Sequence, residues 1–218
     1  MHSHSTQLHY GTESMRRAYS YDLGTAQRLL AHGCHLSVRG PNKADTTRLM
    51  RDLARASGRA GPRTGVRVYL DLSRLALSGS EEFFDVMLAA LRREVTRAGL
   101  GTDLEVYPDP GTAYGSFCQL RAALCLCERS GLRVDYLFDR VEALIRNPGF
   151  DASFFGALRH LGGSGAVTFA CATRIPLHEL LWATPASGSP FWNLFVQLNL
   201  TPRRSENSTP VLGCNSAC

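Results

Sequence analysis

A parallel α/β fold is predicted for this chain, and three observations predict it. Short apolar runs alternate with segments of helical periodicity, the arrangement of successive βαβ units. One run, VDYLFD (Val134–Asp139), is almost continuously apolar, as a strand covered on both faces must be. Between the first strand and the following helix lies GPNKADTT (Gly40–Thr47). It follows the frame G-x-x-x-x-G-K-[ST] of a phosphate-binding loop, but Asp45 and Thr46 stand where the second Gly and the Lys belong.

The elements follow in order. Residues 1–20 read as a flexible lead-in, and 21–33 as a short helix stopped by Gly33. Cys34–Arg39 alternates as a strand and ends at Gly40. From Asp45 to Ser57 an apolar stripe of Leu49, Met50, Leu53 and Ala54 predicts a helix, with Gly58 as its stop. Val66–Leu72 is a second strand. Ser78 and Glu81 have capping-box spacing ahead of a helix bearing Phe83, Phe84, Met87, Leu88, Leu91 and Val95. After a Gly/Pro-rich loop at Tyr107–Gly111, a further helix carries Phe117, Leu120, Leu124 and Cys127 and closes at Gly131. Val134–Asp139 is the third strand. Asp151 caps a helix with Phe154, Phe155, Leu158 and Leu161. Ala166–Ala172 and Leu194–Leu200 complete five strands, and 203–218 reads as a disordered tail.

Composition bounds the function classes. The chain has 218 residues, 44% hydrophobic and 20% charged, with net charge +5, ordinary values for a globular domain. No apolar run approaches the ~18 residues needed to span a bilayer, and no secretory signal precedes the domain, so a cytoplasmic location and no membrane partner are expected. Seven Cys imply reduced thiols. Cys34 and Cys171 read as small buried hydrophobes, while Cys125/Cys127 and Cys214/Cys218 lack zinc-site spacing. His2, His4 and His9 read as part of a solvated tail, and no structural metal is expected. No Ser/His/Asp or Cys/His set has recognisable spacing. His160 and His178 read as packed or solvated helix residues, and Trp192 as crevice packing.

The chemistry concentrates at three places. A phosphate loop wraps backbone N–H groups around a phosphate and brings a Lys to its oxygens; here the Lys is replaced. In a nucleoside-triphosphatase of this architecture, a buried strand ends in an Asp that holds Mg²⁺, usually followed by a Glu that activates water. Asp139 ends the third strand, but Arg140 follows it, and a guanidinium cannot act as a general base. Glu142 is nearby, at an offset expected to point it elsewhere. CATR (Cys171–Arg174) ends the fourth strand, where Thr173 and Arg174 are candidates for sensing a phosphate; a strand-end turn with a solvated Arg is the competing reading.

Together GPNKADTTRLM, VYLDLS with SEEFF, YLFDRVEAL, NPGFDASFFGALRHL, CATRIPLHEL and SGSPFWNLFVQLNLTP resemble bacterial STAND-type AAA+ P-loop ATPases. These are nucleotide-switched signalling modules often joined to effector or repeat domains. The resemblance covers roughly residues 21–202. It implies a five-stranded parallel sheet with helices on both faces, and nucleotide at the strands' carboxyl ends. It also implies assembly with itself or with protein partners. By position, Gly40, Pro41, Asn42, Lys43, Ala44, Asp45, Thr46, Thr47 and Arg48 would be the nucleotide-binding segment. Thr47 and Asp139 would be the Mg²⁺ residues, and Thr173 and Arg174 the sensor. Arg140 replaces the catalytic Glu, and the family's C-terminal lid is expected to be missing.

Three functions follow as expectations. The first is a degenerate, signalling or interaction pseudo-NTPase, binding ATP/ADP with Mg²⁺ weakly or not at all. The second is an active ATPase that uses Lys43 as a non-standard phosphate lysine, with Arg48 as a second donor; against it, both residues read as ordinary surface cations beside Asp45. The third is a nucleic-acid module. Arg48, Arg51, Arg55 and Arg59 recur at helical spacing, with Arg63 and Arg67 beyond. A solvated helix face is the better account of that stripe, because no aromatic residues interleave.

Overall fold

The computed structural model describes residues 23–40, 42–56, 65–100, 104, 115–182 and 190–200. In order these form α1 (23–31), β1 (His35–Arg39), α2 (Lys43–Arg55), β2 (Gly65–Asp71), α3 (Ser80–Arg97) and α4 (Gly115–Arg129). Then come β3 (Arg133–Asp139), α5 (Glu142–Ile145), α6 (Ala152–Gly163), β4 (Val167–Thr173), α7 (Leu177–Trp182) and β5 (Phe195–Asn199). All five strands join one parallel sheet in the order β2-β3-β4-β1-β5. The expectations for residues 1–20, Pro41, Gly58, Arg59, Arg63, the Tyr107–Gly111 loop, Cys214, Cys218 and the 203–218 tail lie outside the described residues.

Alternation along the strands sends successive side chains to opposite faces, and each face has its own cover. On one side Val66, Val68, Tyr136, Phe138, Phe169 and Cys171 meet α3, α4 and α6 in a core dominated by phenylalanines. Phe83 stands at its centre, with ring centroids 5.3 Å from Phe154, 5.7 Å from Phe138 and 6.0 Å from Phe150. Tilted and edge-on aromatic pairs of this kind contribute about 0.5–1.5 kcal/mol each beyond their burial. On the other face Leu36, Val38, Leu137, Ala170 and Ala172 meet Ala26 and Leu30 of α1 and Leu49, Met50 and Leu53 of α2.

Three sequence expectations are corrected. Helix α2 begins at Lys43, two residues ahead of Asp45. The cap of α3 is Gly79, and it is Glu82, not Glu81, that reaches back: its Oε2 accepts from Ser78 N at 2.8 Å and Ser78 Oγ at 2.9 Å. With Gly79 as cap, Glu82 is the third helical residue, the position from which a carboxylate reaches the preceding chain. Cys34 is half-buried and precedes β1 rather than packing within it.

The basic stripe is corrected as well. Arg67 is 7% exposed and points into the protein. Its Nη1 donates to Leu53 O at 2.8 Å and Ala56 O at 2.7 Å, so it binds carbonyls at the end of α2 that have no partner within the helix. Its Nε lies 3.4 Å from Asp135 Oδ2, and Arg133 Nε lies 3.5 Å from Asp135 Oδ1. Arg133 in turn donates to Ala31 O, in the last residue of α1. One buried carboxylate thus holds two guanidiniums that close two helices. Burial raises the Asp135 pKa, and the charges of Arg133 and Arg67 pull it back.

Candidate functional site at the carboxyl ends of the strands

Parallel strands place all their carboxyl ends on one side, and the three regions singled out in the sequence meet there. The register of β2 and β3 sets Asp71 opposite Asp139, 9% and 0% exposed. Two like charges side by side in a sheet are unfavourable unless something offsets them. Asp71 is the better provided. Its Oδ1 accepts from Ser73 Oγ at 2.8 Å and its Oδ2 lies 3.1 Å from Arg74 Nε. Asp139 Oδ2 accepts from the Tyr69 hydroxyl at 3.0 Å, and its buried Oδ1 has no hydrogen-bond partner among the described residues. Burial raises the Tyr69 pKa, with a further contribution from the Asp139 charge. The Arg51 guanidinium stands over the Tyr69 ring at 6.0 Å.

Arg140 follows with φ 61°, in the left-handed region that a long side chain seldom adopts. Its Nη1 donates to Ser73 Oγ at 2.6 Å and lies 3.8 Å from Asp71 Oδ1, while its buried Nε has no partner among the described residues. Arg140, expected to replace a catalytic Glu, is a cation tied to Asp71 and Ser73 at the end of the neighbouring strand. Val141 N donates to Ala172 O, fixing the start of α5 against β4. Glu142, expected to point elsewhere, is turned into the site: its Oε1 accepts from Arg174 N at 2.7 Å. Thr173 is 2% exposed, and its hydroxyl also lacks a partner among the described residues. A cavity of about 210 Å³ brings Lys43, Thr46, Asp139, Arg140, Thr173 and Arg174 together, with Ser73, Glu142 and Arg146 also on its walls.

The loop side is built differently. Only residues 40–42 separate β1 from α2, because Lys43, Ala44 and Asp45 are already helical. Asn42 caps the helix: its Oδ1 accepts from Asp45 N at 2.9 Å, and its Nδ2 donates to Asp45 Oδ2 at 2.6 Å. The amide that would face an anion is thus taken by the chain's own side chain. Thr46, at the Lys position, turns back and donates to Lys43 O at 3.1 Å. A Cβ on Gly40 would lie 2.8 Å from Thr46 Cγ2, so this Gly serves to admit Thr46 closely. Among the described residues of this segment, helix from Lys43 onward stands where a phosphate loop keeps extended backbone with its N–H groups turned to the anion.

Thr47 and Asp139 were expected to hold Mg²⁺. Both have a buried oxygen without a hydrogen-bond partner among the described residues. Thr47 lines a second cavity, of about 700 Å³, with Arg48, Arg51 and Arg55; Lys43 and Arg140 line both. Magnesium needs near-octahedral oxygen ligands that converge at ~2.0–2.1 Å. The two orphaned oxygens are of the kind that ion takes, while Lys43 and Arg140 stand at the walls common to both cavities. Along the helix stripe, Arg55 lies 3.3 Å and Arg48 3.9 Å from the same carboxylate, Asp52.

No protein-family model matches the chain, and no curated protein matches it. Solved structures do. The Aeropyrum pernix ORC2 protein in its ADPNP–ADP complexes is similar with a TM-score of 0.59 at 12% identity, over 84% of this chain and 47% of that one. A Walker-type ATPase of Pyrococcus abyssi gives 0.56 at 12% identity, over 84% and 53%. Drosophila ORC bound to AT-rich DNA and Cdc6 gives 0.53 at 13%, over 89% and 59%. The chain spans about half the length of the first two. Sheet order, helices on both faces and these likenesses together show that the chain has the α/β fold of AAA+ P-loop NTPases.

Proposed function

We propose that this chain is an AAA+-type P-loop NTPase domain that no longer hydrolyses nucleotide and acts as a signalling or interaction module of the STAND kind. The observation that carries this reading is the start of α2. Asn42 and Asp45 satisfy each other at the position where a phosphate would bind, and helix occupies the sequence that a phosphate loop needs. Asp45 adds a negative charge there, Thr46 supplies no cation, and Arg140 cannot take a proton from water. ATP or ADP is accordingly bound weakly or not at all through this segment. Assembly with protein partners is supported by likeness to structures such as the Drosophila ORC with Cdc6.

The test is phosphate release from Mg²⁺–ATP by the purified chain. Release indistinguishable from a protein-free blank is expected, against turnover of about 1–10³ s⁻¹ for typical enzymes. Sustained release that disappears in Asp139→Asn would sink the proposal. A second reading, an ATPase using Lys43, draws on one observation: Lys43 lines both cavities. It requires release that is lost in Lys43→Ala.

A further inference from the structure

We propose that β5 is a docking edge for a second copy of this chain, the two strands pairing antiparallel about a two-fold axis at Gln197. The inference goes beyond the reading above and does not depend on whether nucleotide binds. Among the described residues the sheet has two edges, β2 and β5. Edge strands invite pairing with other chains, and proteins blunt them with inward charges, proline, bulges or cover. Edge β2 is protected in this way: five of its seven residues are buried, Arg67 and Asp71 among them. Edge β5, FVQLN, carries no charge and no proline, and none of its five residues is buried. It runs in unbroken register with β1, from His35 beside Phe195 to Arg39 beside Asn199, so no bulge turns it away. Its Val196 is 47% exposed.

The backbone sets the register. A strand with one parallel neighbour turns the N–H and C=O groups of alternate residues toward it and those of the others outward. Leu200 N donates to Arg39 O, so Val196 and Leu198, at the other even positions, face β1. Phe195, Gln197 and Asn199 therefore hold the outward donors and acceptors. An antiparallel partner must match these residues with its own outward ones. Only the pairing centred on Gln197 engages all three on both strands: Gln197 meets its counterpart, and each Phe195 meets an Asn199. Each such pair exchanges two hydrogen bonds, about six in all. The same register sets Val196 opposite Leu198 of the second copy, on the face where Leu198 packs half-buried against the α1-side core. An apolar layer that ends at Leu198 is thereby continued, and no charge meets a like charge across the strands. A two-fold axis makes each of these contacts twice, which is why the occupant is this chain rather than an unrelated strand. One strand pair is smaller than the ~1,200–2,000 Å² of a stable interface, so the association is weak and depends on concentration.

Sedimentation equilibrium of the full chain, from micromolar to millimolar concentration, tests the edge. A reversible monomer–dimer equilibrium is expected. Gln197→Pro removes an outward N–H and leaves the ladder to β1 intact, the setting in which an edge strand tolerates proline. Both bonds of the central pair are lost with it, so dimerisation should weaken by about tenfold or more. Val196→Lys, at an exposed position, sets a cation against Leu198 of the second copy and should weaken it as well. Arg55→Ala, on α2 and paired with Asp52, should leave the dimer unchanged. Hydrogen exchange read residue by residue supplies the signature. The amides of Phe195, Gln197 and Asn199 should gain protection as concentration rises, while those of Val196 and Leu198 are protected throughout. A monomer at every concentration overturns the proposal. So does a dimer undiminished in folded Gln197→Pro or, should that variant unfold, in Val196→Lys. Outward amides equally protected at all concentrations overturn it too, because another segment of the same chain would then cover the edge. Growth beyond the dimer overturns the two-fold pairing.

Discussion

Strands β2 and β3 lie side by side in register, and their two ends have opposite designs. Near the amino end Arg67 faces Asp135, a buried pair of opposite charges; Arg67 closes α2, and Arg133, beside the same carboxylate, closes α1. At the carboxyl end Asp71 faces Asp139, a buried pair of like charges, and the surrounding Asp139 Oδ1, Thr47 Oγ1, Thr173 Oγ1 and Arg140 Nε lack partners among the described residues. The first end uses charge to hold the fold together. The first end leaves Asp135 Oδ1 without a hydrogen-bond partner, and the second leaves several such polar groups gathered together, the usual mark of a binding site.

That contrast is broken most severely at the amino end. Asp135→Ala strands a guanidinium that is 4% exposed, and urea denaturation should show a loss of about 3–5 kcal/mol. The double variant Arg67→Met/Asp135→Leu should recover only part of it: no guanidinium is stranded at position 67, but Leu53 O and Ala56 O lose their donor and Arg133 loses its carboxylate. At the start of α2, Asn42→Ala removes one capping contact and should cost about 1 kcal/mol by the same measurement. Asp139→Asn relieves the facing like charges while keeping an acceptor for Tyr69; stability should hold or rise by less than about 1 kcal/mol. A larger loss there than in Asp135→Ala would reverse the assignment of the two ends.

The smallest effect concerns His35, which opens β1. Its Nδ1 accepts from Phe169 N at 3.0 Å, and burial lowers its pKa below the ordinary 6.5. The unfolded chain therefore binds the proton more readily than the folded one. The resulting stability is complete above about pH 6.5 and declines as pH falls below it, through the interval down to the lowered folded value. Thermal unfolding of His35→Gln, which keeps an acceptor but does not titrate, should lack that part of the decline.

Five strands and the helices between them were legible because burial on two faces, or on one, leaves a period in the sequence. Register does not. VYLDLS and VDYLFD each end a strand in Asp, yet only the pairing of β2 with β3 makes Asp71 and Asp139 neighbours, so Asp71 was not singled out. Arg67 was assigned to the helix stripe by spacing alone, although it lies in a strand where alternation turns it inward. Glu142 reaches the site because the chain reverses at Arg140, a conformation that nothing in Arg-Val-Glu announces. The early start of α2 did have a signal. Asn42-x-x-Asp45 is a capping pattern, masked because the same residues also fit the spacing of a phosphate loop.

Sheet order also imposes a timetable on folding. Strand β1 is made first but sits between the two strands made last, β4 and β5. His35 and Phe169, which bond across that junction, are 134 positions apart. During synthesis Leu36 and Val38 must therefore wait, without the strands that will flank them, until most of the chain has emerged. Pairings of such long reach are slow to form and leave apolar strands exposed meanwhile. A release of the chain before β4 would yield β2 and β3 with a core but an orphaned first strand, a product prone to aggregate rather than a smaller working domain.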